Sequence, residues 1–184
     1  MTLKPKSIQI TQNQKCVDFT LSGDWVLRME SGVVQEKWRD FISPKTVPFE
    51  MCSFQMDSKS KWDSSLLVFL LKARKELSEK NLAVDFSSLP EKIQNLLSFA
   101  SDLQTNVVVT LGEKGCAYVK DNSVIIFETE SVNTVDTTGA GDAFVGAFSY
   151  ALANNLNISE SIELALKKAT DSVTKKGTQS SYKN

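Results

Sequence analysis

Histidine is absent from the 184 residues of this chain. Triads of the Ser-His-Asp kind and metal sites built on imidazole are therefore excluded. Cysteine is scarce: Cys16, Cys52 and Cys116 are odd in number and widely spaced, which fits neither a disulfide framework nor a zinc site. A reducing environment suits such a chain best, so we expect a cytoplasmic protein.

The chain also lacks strong net charge and long apolar runs. Its net charge is −1, so no basic field indicates a nucleic-acid partner. The longest apolar run, residues 66–71, is too short to span a bilayer, and residues 1–6 lack the apolar stretch of a signal peptide. With 41% hydrophobic and 23% charged residues, the composition is that of a globular protein with one domain or two small ones.

Composition changes near residue 104. All three tryptophans and all four prolines precede this point, whereas six of the eight glycines follow it. The polar stretch 101–106 is the best candidate for a joint. We therefore predict two domains, residues 1–104 and residues 105–184.

Hydrophobic periodicity predicts an α/β chain with a mixed or parallel sheet. In the first domain we expect strands near 8–10, 17–21, 49–56 and 82–86, with helices at 33–42, 64–79 and after residue 90. In the second we expect a strand at 107–110, a hairpin at 116–127, an apolar and therefore buried helix at 140–153, and a helix at 160–173 capped by Ser159. The series of strand 82–86, helix and strand 107–110 suits a parallel crossover, through which both domains would share one sheet.

The most informative motif is Asp-Thr-Thr-Gly-Ala-Gly-Asp at residues 136–142. A glycine-rich loop that opens a helix presents free backbone N–H groups, and the helix dipole adds partial positive charge there. Such a loop binds anions, phosphate above all. Asp142 follows the glycines closely enough to take a proton from a hydroxyl that attacks the phosphate. The alternative is a plain strand-to-helix turn with a capping aspartate.

With the sequences Val-Val-Val-Thr-Leu-Gly-Glu-Lys-Gly at 107–115 and Val-Thr-Lys-Lys-Gly-Thr-Gln at 173–179, this motif resembles the ribokinase-like (PfkB) sugar kinases. The resemblance covers residues 106–181 and implies ATP-dependent phosphoryl transfer to a sugar hydroxyl. It implies that Asp142 is the catalytic base and that the N–H groups of Gly139, Ala140 and Gly141 form the anion hole. Gly141 would also contact the nucleotide, as would Thr110, Gly112 and Gly115, although these last two glycines also suit a simple tight turn.

The same resemblance implies Mg²⁺ with the nucleotide and a monovalent cation, K⁺, beside the anion hole. The implied cation ligands act mostly through backbone carbonyl groups and are Asp136, Thr138, Ser172, Lys175, Gly177 and Ser181. Three features of the family have no counterpart in this chain: the sugar-binding half, the lid and the acidic motif that organises the metal. Residues 165–167, Ala-Leu-Lys, stand where the family has Ala-Asn near the adenine. We therefore expect an incomplete kinase whose binding of a sugar substrate is in question.

Residues 7–100 resemble a different family, the STAS domains, and most closely the soluble domain of lipid-asymmetry ABC-transporter permeases. The resemblance rests on Ser-Gly-Asp-Trp at 22–25, Trp-Asp-Ser-Ser-Leu-Leu at 62–67 and Leu-Pro-Glu at 89–91. It implies a binding module whose partner is a transporter subunit, and a phosphorylation site at Ser65. A simpler interpretation is that Ser64 or Ser65 caps a helix. The joined chain could also be a chimera or natural fusion without evolved activity.

Overall fold

The computed structural model describes residues 4–13, 15–26, 32–44, 48–101, 106–121 and 123–177. The chain divides into two compact units. The first unit comprises Met1–Val107 and Val119–Val124, and the second comprises Val108–Tyr118 and Ile125–Asn184. Helices and strands occur in both, which confirms the predicted α/β class.

A four-stranded mixed sheet forms the centre of the first unit. Its strands lie in the order β1 (Ser7–Gln12), β2 (Cys16–Ser22), β3 (Met51–Met56) and β4 (Ala83–Asp85). β1 and β2 are antiparallel and joined across residues 13–15, as the polar stretch between them predicts, whereas β2, β3 and β4 are parallel. Side chains alternate between the two faces of a strand, and Val17, Phe19 and Leu21 all lie on the buried face of β2.

Three helices accompany this sheet: α1 (Gly32–Ile42), α2 (Ser64–Ser78) and α3 (Glu91–Ser101). α2 begins at a cap that the sequence analysis misplaced. Asp63, not Ser64 or Ser65, is the N-cap, and its carboxylate accepts the N–H of Ser65 at 2.8 Å. Asp63 has the extended backbone of an N-cap, while the two serines already lie inside the helix.

Aromatic side chains fill the core of the first unit. Phe19 and Phe54, from neighbouring strands, stack with their ring centroids 4.7 Å apart. Trp38 from α1 lies 5.5 Å from Phe19, and its indole N–H donates to Glu76 at 2.5 Å. Burial of each such ring contributes roughly 1.5–3 kcal/mol to stability, so this cluster accounts for a large share of the hydrophobic driving force.

Asp24 fixes a corner of the first unit at the end of β2. Its carboxylate accepts the backbone N–H of Lys4 at 3.0 Å and that of Lys61 at 3.2 Å. The hydrogen bond from Lys4 is the largest cause of a lowered pKa at Asp24; the N–H and positive charge of Lys61 act in the same direction, and burial opposes them. Asp24 therefore stays ionised and holds two distant segments together.

Most residues of a three-stranded sheet belong to the second unit; Val107 and the strand residues within Val119–Val124 are grouped with the first. The strands lie in the order β5 (Val107–Thr110), β6 (Cys116–Lys120) and β7 (Ser123–Phe127), with a 3-10 turn at Gly112–Lys114 after β5. The expectation of one shared sheet is wrong for the described strands. Among the described strands, β5 pairs with β6 and β4 pairs with β3, and no pairing joins β4 to β5.

Two helices complete the second unit, α4 (Ala140–Ala153) and α5 (Ile158–Val173), and they pack against each other. The hydrophobic core that they share with the sheet contains Cys116, Tyr118, Phe144, Ile162, Ala165 and Leu166. α5 begins with a capping box in which Asn157 and Glu160 each bond the other's backbone N–H. The prediction that Ser159 caps this helix is therefore wrong, because Asn157 occupies that position two residues earlier.

α4 is less buried than its apolar sequence predicts. Only Phe144 and Ala151 are buried, whereas Val145 is 60% exposed and Tyr150 is 66% exposed. The reason is geometric: the core covers one side of α4, and the described residues leave the opposite side to solvent. In the part of the chain that the structure describes, no helix has the length and apolar character needed to cross a bilayer.

Candidate functional site

The start of α4 has the geometry that the glycine-rich motif predicts. Gly139 is the N-cap and adopts a left-handed backbone with φ 82°, and its position is not capped by a side chain. The N–H of Ala140 donates to the carbonyl of Thr137 at 3.3 Å. The first regular helical bond joins the N–H of Ala143 to the carbonyl of Gly139 at 2.9 Å. The N–H groups of Gly141 and Asp142 therefore precede the helical ladder.

The surface above these two N–H groups is open. Gly141 and Asp142 are both exposed. A methyl group on Gly141 would find no described atom within 4 Å beyond its own helix and chain neighbours. Two outward N–H groups at the positive end of a helix dipole are suited to binding an anion such as phosphate. The carboxylate of Asp142 lies in the first turn beside them.

Asp136 connects the loop before α4 to the end of α5. Its Oδ1 accepts the N–H of Thr138 at 3.0 Å, and its Oδ2 accepts the N–H of Gly177 at 3.1 Å. The hydroxyl of Thr138 is the largest cause that lowers the pKa of Asp136. The N–H groups of Thr138 and Gly177 and the charge of Lys176 lower it further, while burial acts in the opposite direction.

The six predicted cation ligands fall into three groups. Asp136, Thr138 and Gly177 are brought together by the bonds just described. Ser172 is buried, its hydroxyl donates to the carbonyl of Ala169 at 2.7 Å, and its carbonyl accepts the N–H of Lys175 at 3.4 Å. Ser181 lies outside the described residues.

The donors at these positions, a carboxylate and backbone carbonyl groups, are all oxygen atoms. Such donors suit a hard cation, so the residues fit K⁺ by their chemistry. The described residues contain no cluster of three or more histidine, cysteine or acidic side chains that could hold a metal ion.

In the predicted nucleotide turn, Gly115 has a packing reason to be glycine. Gly115 has φ 88°, and a Cβ there would lie 1.9 Å from the carbonyl oxygen of Phe127. Its carbonyl accepts the N–H of Leu111 at 2.8 Å, which closes the turn. Thr110 and Gly112, by contrast, are both exposed at the end of β5. The packing requirement alone accounts for glycine at 115.

Residues 165–167 stand where the family resemblance places an adenine contact, and that contact stays in question. Ala165 and Leu166 belong to the core of the second unit, and only Lys167 is exposed.

In the first unit, the hydroxyl of Ser65 donates to the carbonyl of Trp25 at 3.2 Å and is partly buried. Phosphorylation at Ser65 and docking on a transporter subunit stay predictions.

Sequence reasoning missed the links that hold the site together. The carbonyl of Val173 accepts the N–H of Val135 at 2.8 Å and that of Asp136 at 3.2 Å. These bonds join residues far apart in the chain, and no local pattern signals them. The one available signal was Gly177, whose φ of 86° requires a residue that tolerates a left-handed backbone.

A model of the family described as pfkB family carbohydrate kinase matches residues 71–184. The match begins inside α2, before the domain boundary predicted at residue 104, and that boundary stays a prediction. A deoxyribokinase of Salmonella typhi is 42% identical over 77 residues, which are 42% of this chain and 25% of that protein. A ribokinase of Dictyostelium discoideum is 41% identical over 102 residues, which cover 53% of this chain and 32% of that protein.

Among solved structures, a ribokinase from Thermotoga maritima is 26% identical, with a TM-score of 0.43 over 73% of this chain and 39% of that one. Of the two curated relatives, the deoxyribokinase and the Dictyostelium ribokinase, the chain spans a quarter to a third of the length.

Proposed function

Because the chain belongs to the pfkB family of carbohydrate kinases, we propose that residues 105–184 form the phosphate-binding end of a ribokinase-type kinase. In this proposal the terminal phosphate of ATP contacts the N–H groups at the start of α4. Asp142 takes the proton from the attacking sugar hydroxyl. The observation that carries the proposal is the start of α4, where open N–H groups and an exposed carboxylate lie side by side.

The electrostatics support this assignment. A helix N-terminus carries about half an elementary positive charge, which favours the phosphate. N–H groups fixed where negative charge develops typically lower a barrier by roughly 3 kcal/mol each. Gly141 leaves room for the phosphate because it has no side chain. The left-handed backbone of Gly139 and the hydrogen bond from the N–H of Ala140 to the carbonyl of Thr137 set the path of the chain beside the phosphate.

The ions follow from the same reasoning. Mg²⁺ would be held chiefly by the phosphates of ATP, since the described residues offer no acidic cluster for it, and it would neutralise phosphate charge. A monovalent cation would be held by oxygen atoms of Asp136 and of the loop 172–177, with Ser181 as a further ligand. Thr110 and Gly112, exposed at the end of β5, would contact the nucleotide.

We assign nucleotide binding to this chain first and sugar phosphorylation second. The matches cover a quarter to a third of the two curated relatives. From the sequence we expect the sugar-binding half of the family to be missing from residues 1–104. A base without a bound hydroxyl gains nothing from proximity, so turnover should be low. A fused chain that folds without activity is the alternative. The STAS-like role of residues 1–104 and a cytoplasmic location stay predictions.

The test measures ADP release from ATP with Mg²⁺, K⁺ and a panel of pentoses and hexoses. Asp142→Asn should lower any sugar-dependent turnover at least ~100-fold, because it removes the base. Asp171→Asn, an equal charge change at an exposed position on α5, is the matched control and should leave turnover unchanged. Identical background rates in wild type and Asp142→Asn would refute the catalytic part. A melting temperature that does not rise with millimolar ATP would refute the binding part.

A further inference from the structure

The carboxylate of Asp136 lies between two segments of the second unit that are 41 residues apart. One oxygen accepts the N–H of Thr138 and the other accepts the N–H of Gly177, at 3.0 and 3.1 Å. Both oxygens of the side chain are therefore bonded to backbone groups. This use of the residue adds to the cation ligation that the family resemblance implies, since each carboxylate oxygen has two lone pairs.

A second set of bonds reinforces the connection. The N–H groups of Val135 and Asp136 both donate to the carbonyl of Val173, just at the end of α5. The backbone of residues 135–136 is thereby held at one point, and the carboxylate reaches a second point four residues further along. Two attachments fix both the position and the direction of the loop, which a single attachment would not.

The fixed loop leads directly into the phosphate-binding end of α4. Thr137 follows Asp136, and its carbonyl accepts the N–H of Ala140. Gly139 then turns the chain with its left-handed backbone, and the N–H groups of Gly141 and Asp142 follow. Any shift of residue 136 would therefore move these N–H groups, since only short, bonded turns separate them.

We propose that Asp136 is a positioning residue: by binding the N–H groups of Thr138 and Gly177, its carboxylate holds the start of α4 in place for phosphate. The functional half of this inference rests on the proposed function; the structural half does not. Aspartate suits the role because it offers two acceptor oxygens. Asparagine offers one acceptor and an NH₂ group, which would face an N–H donor without forming a bond.

Backbone amide exchange measured by NMR on the full chain without nucleotide tests the structural half. Asp136→Asn should speed exchange at Gly177 about tenfold or more, the loss expected for a hydrogen bond to a charged group. It should also speed exchange at Ala143, whose N–H makes the first helical bond of α4. Asp171→Asn, which removes the same charge nearby, should change neither rate. Unchanged exchange at Gly177 in Asp136→Asn would overturn the inference.

Titration with ATP and Mg²⁺ tests the functional half. Asp136→Asn should weaken ATP binding about tenfold, whereas Asp171→Asn should bind as wild type does. Faster exchange at Gly177 with unchanged ATP affinity would overturn the positioning role. If wild type itself binds no ATP, the proposed function fails. In that case faster exchange at Ala143 in Asp136→Asn would still support the inference that Asp136 fixes the start of α4. Unchanged exchange at Ala143 would refute it.

A second substitution keeps the test decisive if Asp136→Asn does not fold. Asp136→Glu restores two acceptor oxygens on a chain one methylene longer. Because the longer side chain displaces these oxygens, exchange at Gly177 should be faster than in wild type and, where Asp136→Asn folds, slower than in that variant. Exchange at Gly177 as in wild type for every folded variant would show that the carboxylate does not hold this loop.

Discussion

Replacing Gly115 by alanine should destabilise the second unit by about 2–6 kcal/mol. Two costs combine in this estimate. Gly115 has φ 88° and ψ −129°, a backbone region that other residues enter at a cost of roughly 1–3 kcal/mol. The new Cβ would also lie 1.9 Å from the carbonyl oxygen of Phe127, so one strand must move, at a cost of about 1–3 kcal/mol.

The Phe127 contact is with the backbone, so no side-chain rotation can relieve it. The oxygen belongs to the end of β7, and Gly115 immediately precedes β6, which is the neighbouring strand in the sheet. Moving either strand disturbs the core residue Cys116 beside it. Because whole domains are stable by only about 5–15 kcal/mol, this single methyl group should remove a large share of the total.

Urea unfolding followed by far-ultraviolet circular dichroism measures the effect. At a slope near 1 kcal/mol per molar, the midpoint of Gly115→Ala should fall by about 2 M or more. Gly146→Ala is the matched control, since its methyl group meets nothing within 4 Å and α4 gains helix propensity. It should be more stable than wild type by roughly 0.5–1 kcal/mol. If Gly115→Ala unfolds within 0.5 kcal/mol of wild type, the argument from the Phe127 carbonyl is wrong.

Three further predictions concern other parts of the chain. The pKa of Asp24 in the folded chain lies below the ordinary 3.8. Its stabilising contribution is therefore complete above pH 3.8 and disappears as the pH falls through the lower folded pKa. The stabilities of wild type and Asp24→Asn should converge between about pH 5 and pH 2, and a constant difference would contradict this. Asn157→Ala should cost about 1 kcal/mol in thermal or urea unfolding, whereas Ser159→Ala should cost almost nothing; equal losses would refute the observed cap. Burial raises the pKa of Cys52 and Cys116 to about 11 each, so neither should react with a thiol reagent at pH 8 until the chain is unfolded; prompt labelling of all thiols in the native chain would contradict their burial.

The local elements were the most predictable part of the fold. Hydrophobic patterns predicted the described strands and α-helices within a few residues, because such patterns reflect burial; the 3-10 helix at Gly112–Lys114 was not predicted. Helix caps were less predictable. At the starts of α2 and α5 several residues can cap a helix, and backbone geometry selected Asp63 and Asn157 over nearby serines.

Long-range arrangement was the least predictable part. The pairing of β5 with β6 depends on a tight turn around Gly115, which a short connection favours over a crossover to β4. Burial of α4 was overestimated, because composition reports how apolar a helix is and not how many sides the fold covers. Val145, for example, is apolar but lies on the exposed side of this helix.

The candidate site shows the same division between local and distant information. The glycine-rich stretch predicted a loop that opens a helix with Asp142 just past the glycines, and the structure has this arrangement. The left-handed backbone of Gly139 was not predicted. The bonds from Asp136 to Gly177 and from Val135 to Val173 join residues about 40 positions apart, and no local pattern predicts them. The family resemblance implied only that Asp136 and Gly177 lie near one cation. Motifs specify local backbone; the fold decides which loops meet.

Calorimetric titration of ATP with Mg²⁺ into the full chain tests the central claim most directly. Gly141→Ala places a methyl group in the open space that the phosphate would occupy, while Gly146→Ala adds the same group about 1.4 helical turns further along α4. The account predicts binding to wild type and to Gly146→Ala with equal affinity, and binding at least ~10-fold weaker to Gly141→Ala, a loss of about 1.4 kcal/mol. Equal affinity in all three proteins, or no binding to wild type, would contradict it.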